Sequence, residues 1–113
     1  MIAPGDVILA HLVNPTEKLW GVLGELGVAG VTLRGINVSS FDDWVVQAAR
    51  DDDPSLGLST MFVPLFRIER IFLDEPVGQV ESYCQRFERR VGVSVLQYVE
   101  AGGLATPPDQ QPS

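Results

Sequence analysis

The chain has 113 residues, 45% of them hydrophobic and 20% charged, a composition that fits one folded globular domain and excludes a disordered or collagen-like chain. Its 15 acidic residues outnumber its 8 basic residues, and the formal net charge of -7 repels a nucleic-acid backbone unless the bases are clustered. The single cysteine excludes a disulfide framework within the chain, and no apolar run approaches the roughly 18 residues of a membrane span, so the sequence predicts a soluble, cytoplasmic domain without a metal or cofactor.

The first predicted strand spans residues 6–13 and follows a Pro4-Gly5 turn signal. Both of its alternating faces are apolar. One face carries Val7, Leu9 and Val13, and the other carries Ile8, Ala10 and Leu12. A strand of this kind is covered on both sides, either by its own fold or by a neighbouring subunit.

Two further strands are predicted at 18–26 and 31–38, separated by the glycine-rich turn 27–30. With the first strand they form an antiparallel meander with hairpin-length connections. The hydrophobic period then changes to that of a helix, which Ser39 or Ser40 can cap and which continues to residue 50.

The second half of the chain predicts a strand at 58–63, a tight turn at 64–67 and a fifth strand at 68–73. A helical region is expected to open at residues 74–76 and to end at Gly92. Its apolar stripe consists of Val80, Tyr83, Cys84, Phe87 and Val91. Ser94 can cap a short last helix, which reaches Gly102-Gly103.

These elements predict one domain over residues 1–103 and a disordered tail over 104–113, where three prolines and two glutamines occur. Five short strands with an inserted helix and C-terminal helices indicate a mainly β fold of the α+β class. Sheets this small usually close or cover their edges, so we expect a small, strongly bent barrel.

Part of this pattern resembles the Sm-like barrels, which are of the Src-homology-3 type. Val7-Ile8-Leu9, then Gly21-Val22-Leu23, then Leu33 stand in the order of the first Sm motif, and residues 62–71 are similar to the strand–turn–strand that closes such barrels. The resemblance covers residues 6–73 without the inserted helix. It implies a five-stranded barrel and assembly into rings by strand pairing.

The residues with which Sm proteins hold RNA are not matched. The family places an aspartate and an asparagine in the loop after Gly-x-Leu, where this chain has Gly27 and either Gly30 or Val31. The Arg-Gly pair of the second motif is replaced by Arg70-Ile71. The resemblance therefore implies architecture and assembly, and it does not imply RNA binding.

Few residues carry candidate chemistry. His11, the only histidine, has no nucleophile or polarising partner arranged around it in the sequence, so we interpret it as a core or interface residue. Cys84 lies on a helix stripe and is interpreted as a packed apolar cysteine. The run Asp51-Asp52-Asp53 lacks the ligand spacing of a calcium loop and is interpreted as a solvated loop.

A small basic cluster stands on the helix before Gly92. It consists of Arg86, Arg89 and Arg90, and Glu81 and Glu88 can pair with these arginines at helical spacing. Phosphate contact is the functional interpretation of this cluster, and a salt-bridged face is the structural one.

The mean hydropathy of +0.13 is high for a small soluble domain, which favours apolar surface that meets another chain. We therefore predict a non-enzymatic interaction or scaffold domain that assembles with itself through strand edges, by β-augmentation. The candidate contact residues are Ile8, Ala10, Leu12, Trp20, Val22, Phe62 and Phe72. Three alternatives remain open: an RNA-binding Sm-like protein, an accessory subunit of a larger complex, and a small enzyme using His11 with Glu25 or Glu69.

Overall fold

An antiparallel sheet of five strands forms the centre of the computed structural model, which describes residues 1–50 and 57–99. The strands are β1 (Val7–Leu12), β2 (Glu17–Leu26), β3 (Gly30–Asn37), β4 (Ser59–Pro64) and β5 (Ile68–Leu73). Their order across the sheet is β4-β3-β2-β1-β5. The predicted α+β class and the five strands are confirmed. Within the described residues no ladder joins β4 to β5, so the sheet is not closed.

Three helices accompany the sheet: α1 (Phe41–Arg50), α2 (Tyr83–Val91) and α3 (Val95–Tyr98). Helix α1 is inserted between β3 and β4, as predicted, and a short 3-10 segment, Leu65–Arg67, forms the tight turn between β4 and β5. No helix in residues 1–50 and 57–99 is long and apolar enough to cross a membrane. The predictions for the acidic run 51–53, for the end of the last helix and for the tail concern residues outside those ranges.

Helix α2 begins later than predicted. The segment after β5 is a loop in which Val77 and Val80 exchange backbone hydrogen bonds of 2.9 and 3.0 Å, and Val80 is exposed instead of extending the helical stripe. The helix starts behind Ser82, whose hydroxyl accepts from the Gln85 backbone while the Gln85 side chain accepts from the Ser82 backbone. The predicted end at Gly92 is confirmed, with a left-handed φ of 94°.

Two hydrophobic clusters lie on opposite faces of the sheet. The inner cluster lies on the face away from the helices and comprises Ile8, Ala10, Leu12, Leu19, Leu23, Val31, Leu33 and Val63. The helix-side cluster joins the other face to the three helices and comprises Trp20, Ile36, Phe41, Trp44, Val45, Leu58, Phe87 and Val95. Val7 and Leu9 pack against the helix-side cluster. The chain's own fold therefore buries one apolar face of β1 and partly buries the other.

β2 and β3 approach each other closely at two paired glycines, Gly21 and Gly35. A Cβ atom on Gly21 would lie 2.4 Å from the Arg34 carbonyl oxygen, and one on Gly35 would lie 2.2 Å from the Trp20 carbonyl oxygen. Only residues without a side chain fit this approach.

Candidate interaction surface

Four of the seven predicted contact residues lie inside the chain. Ile8, Ala10 and Leu12 belong to the inner cluster, and Trp20 belongs to the helix-side cluster. At most 3% of each of these residues is exposed in this conformation, so all four belong to the core of the chain. That they contact a partner stays a prediction.

Trp20 is fully buried by the ring systems of the helix-side cluster. Its ring lies 4.9 Å from that of Phe41 and 5.5 Å from that of Trp44, between centroids. Its indole Nε1 donates a hydrogen bond of 3.0 Å to the Asp74 carboxylate, so the one polar atom of the side chain has a partner. Trp20 therefore anchors the fold.

Asp74 also fixes the cysteine. Its carboxylate accepts hydrogen bonds from the backbone N–H groups of Tyr83 and Cys84, at 2.9 and 2.8 Å. Burial, followed by the hydrogen bond and charge of Asp74, raises the pKa of the Cys84 thiol well above its ordinary range. A thiol held in its protonated form is a poor nucleophile, which agrees with the interpretation of Cys84 as a packed residue.

The remaining three predicted contact residues lie on the helix-side face of the sheet. Val22 is half-buried on β2, which is an inner strand of the sheet. Phe62 on β4 is 55% exposed, and Phe72 on β5 is 40% exposed. The two phenylalanines therefore mark the two opposite edges of the sheet, and they are the predicted contact residues that a partner can reach most readily.

Each edge strand is six residues long and pairs with only one neighbour among the described residues: β4 with β3, and β5 with β1. The outer side of each strand therefore presents backbone N–H and C=O groups that can pair with another chain. β4 carries no charged side chain, whereas β5 carries Glu69 and Arg70. Edge strands of monomeric proteins usually carry charges that discourage pairing, and β4 lacks them.

A second apolar surface, the apolar end, lies where two turns meet beside β4. The Leu65 N–H donates to the Ala29 carbonyl oxygen at 2.9 Å, which joins the β4–β5 turn to the β2–β3 turn. Val28 is 98% exposed there and Phe66 is 83% exposed. A pocket of about 280 Å³ lies next to these turns, between the glycines 27 and 30 and the ring of Phe62.

Neither the hydrophobic alternation nor the turn residues of the sequence revealed the apolar end. The position of Phe66 in the sequence could have indicated its exposure. A phenylalanine inside a predicted tight turn lies on no strand or helix face that packs into the core. Val28 stands in the same situation between two glycines of its own turn.

The arginine cluster on α2 is engaged in ion pairs. Arg86 lies 3.1 Å from Asp42 and 3.7 Å from Glu81. Arg89 holds Glu81 with two nitrogens at 2.7 and 3.3 Å, and this hydrogen bond lowers the pKa of the Glu81 carboxyl. These contacts match the interpretation as a salt-bridged face. Arg90 is exposed and has no partner within the ranges that the structure describes.

His11 lies half-buried on the helix-side face of β1. Its ring meets the ring of Phe72 edge-on, with 4.8 Å between the centroids. Burial, followed by the charges of Lys18 and Arg70, lowers the pKa of the imidazole, and Glu69 acts weakly in the opposite direction. The sequence did not reveal this basic neighbourhood, because it depends on the register between three strands.

The chain matches no protein-family model, no curated protein and no solved structure. Its function is therefore inferred from its own geometry. Two open edges of one sheet, each marked by an exposed phenylalanine, are the features that bear on it most directly.

Proposed function

We propose that this chain is a non-enzymatic scaffold domain that assembles with copies of itself through the two edges of its sheet. β4 of one copy would add to β5 of the next, so that backbone hydrogen bonds supply affinity and alternate side chains supply specificity. Because the two edges are different surfaces, the contact is heterologous, and repetition of it produces a ring when the rotation between copies closes.

The observation that carries this proposal is the pair of open edges within one small sheet that packs an apolar cluster on each of its faces. Phe62 and Phe72 project from these edges on the same face of the sheet. When the two edges pair, both phenylalanines lie on one continuous face. Aromatic cross-strand pairs stabilise antiparallel sheets by up to about 1 kcal/mol.

We also propose that the sheet is of the Sm-like type, which supports assembly because the family resemblance implies ring formation by strand pairing. Three features favour this assignment. The strand order places β5 beside β1, a 3-10 turn connects β4 to β5, and the glycine of the Gly21-Val22-Leu23 motif lies too close to the β3 backbone to carry a side chain. The contact between β4 and β5 would then be made between copies.

The first test is the native mass, measured by size-exclusion chromatography with light scattering. We expect a stable multiple of the 12.3 kDa chain mass. Phe62→Glu and Phe72→Glu place a charge on one edge each and are expected to give monomers with an unchanged circular dichroism spectrum. Val77→Glu is the matched control, because Val77 is 70% exposed and belongs to neither edge strand.

Mixing the two edge variants tests whether the contact joins two different edges, β4 of one copy and β5 of another. Phe62→Glu retains an intact β5 edge, and Phe72→Glu retains an intact β4 edge. A heterologous contact predicts that the mixture forms a dimer of twice the chain mass, although each variant alone is monomeric. A wild-type chain that is monomeric at the highest soluble concentration contradicts the proposal, and so does assembly that both edge variants leave intact.

A further inference from the structure

A row of basic side chains crosses the helix-side face of the sheet, from β2 over β1 to the edge strand β5. His11 lies directly opposite Lys18 on β2 and directly opposite Arg70 on β5. Facing residues of neighbouring antiparallel strands have Cβ atoms about 4.5–5.5 Å apart, so the long side chains of Lys18 and Arg70 can both reach the space above the imidazole.

This arrangement concentrates positive charge in a chain whose net charge is -7. Like charges placed directly opposite each other destabilise a sheet. Here His11, on an inner strand, faces Lys18 on one side and Arg70 on the other. Glu69 places a carboxylate 3.5 Å from Arg70, and both partners of this pair are well exposed. Exposed pairs of this kind are weak, so Arg70 remains available to another anion.

We propose that His11, Lys18 and Arg70 form a binding site for a phosphate monoester. An arginine and a lysine that approach one point from two strands suit a phosphate dianion, which accepts hydrogen bonds from several directions. The exposed ring of Phe72, packed edge-on against His11, provides an apolar wall beside the charged row for the organic part of the ester. The site is distinct from the arginines of α2, of which Arg86 and Arg89 are paired with carboxylates.

The single histidine makes the test direct, because its Hε1 proton gives one resonance whose pH titration reports the site alone. The titration is recorded by NMR at constant ionic strength, in chloride, in inorganic phosphate and in a nucleoside monophosphate. We expect both phosphate compounds to raise the pKa of His11 in a saturable manner, since a bound dianion stabilises the imidazolium form. Chloride at equal ionic strength controls for screening.

Substitutions then assign the residues. Lys18→Gln and Arg70→Gln change exposed side chains and are expected to weaken binding about tenfold each, in line with the loss of one charge-assisted hydrogen bond. Arg34→Gln is the matched control, because Arg34 lies on the same face of the sheet but bonds to Thr60 at the far edge. Phe72→Ala is expected to weaken the nucleoside monophosphate more than inorganic phosphate.

His11 titration curves that coincide in chloride and in phosphate overturn the site. Phosphate binding that is weakened equally by Arg34→Gln and Lys18→Gln also overturns it. Equal weakening of both phosphate compounds by Phe72→Ala overturns the apolar wall. The native mass of Lys18→Gln, measured in parallel, keeps this result separate from the assembly, since Lys18 lies on β2, which is not an edge strand.

Discussion

Asp74 shows how one side chain can join two parts of this fold. Its carboxylate accepts hydrogen bonds from the Trp20 indole on β2 and from two backbone N–H groups at the start of α2. Its own backbone N–H donates to the Val7 carbonyl oxygen on β1. The sequence indicated only that an acidic residue precedes a helical region. The connection to Trp20 spans 54 positions and depends on how α2 packs against the sheet.

Replacing Asp74 with asparagine should therefore destabilise the protein. The amide retains one oxygen but turns an NH2 group towards at least one of the three donors, and a buried donor without a partner costs about 1–3 kcal/mol. Because one or two donors lose their partner, we expect the free energy of unfolding, measured in urea, to fall by about 3 kcal/mol. Glu75→Gln, at the exposed neighbouring position, is the control, and equal urea midpoints for the two variants contradict this role of Asp74.

His11 should make stability depend on pH. Its pKa is lowered in the folded state, by burial first and then by Lys18 and Arg70, so the unfolded chain binds its proton more readily. Stability is therefore complete above the unfolded value of about 6.5 and decreases as the pH falls through it. We expect the melting temperature of His11→Gln to fall less than that of the wild type between about pH 7.5 and pH 5, in a phosphate-free buffer. Parallel curves for the two proteins would contradict the lowered pKa.

At the scale of elements, hydrophobic alternation and turn residues predicted the fold closely. The structure places the five strands within one residue of the predicted bounds, because period-two patterns and Gly or Pro breaks directly reflect strand geometry. The start of α2 was missed because Val80 fits the helical stripe by spacing alone. The sequence nevertheless carried the correct signal, since Ser82 and Gln85 stand at the spacing of a capping box.

The close approach of β2 and β3 depends on the absence of side chains at Gly21 and Gly35. In Gly21→Ala, the new Cβ atom would lie 2.4 Å from the Arg34 carbonyl oxygen, so the strands must separate. Overpacking of this kind costs about 1–3 kcal/mol, and we expect the upper end because the obstructing atoms belong to the backbone. Gly57→Ala meets nothing within 4 Å and is the control for the change of residue type. Equal unfolding midpoints in urea for the two variants would show that β2 and β3 can accommodate a Cβ atom at Gly21 without loss of stability, which contradicts the prediction.

At the scale of the whole molecule, the exposed apolar residues do not lie where the sequence predicted them. The doubly apolar β1 suggested a surface for a partner, but the fold buries one of its faces and partly buries the other. A single sequence cannot distinguish cover by its own helices from cover by a neighbour, because both leave the same alternation. Most of the exposed large apolar residues lie instead at the edges, in the turns of the apolar end and in the loop after β5.

If the edges join copies of the chain, stability must depend on protein concentration. Assembly binds only the folded chain, so mass action raises the melting temperature as concentration increases. We expect the wild-type melting temperature to rise by several degrees over a hundredfold increase in concentration. Phe62→Glu, whose β4 edge carries a charge, is expected to melt at a constant temperature throughout. A wild-type melting temperature that is independent of concentration, together with a monomeric mass, would show that neither edge joins copies of the chain.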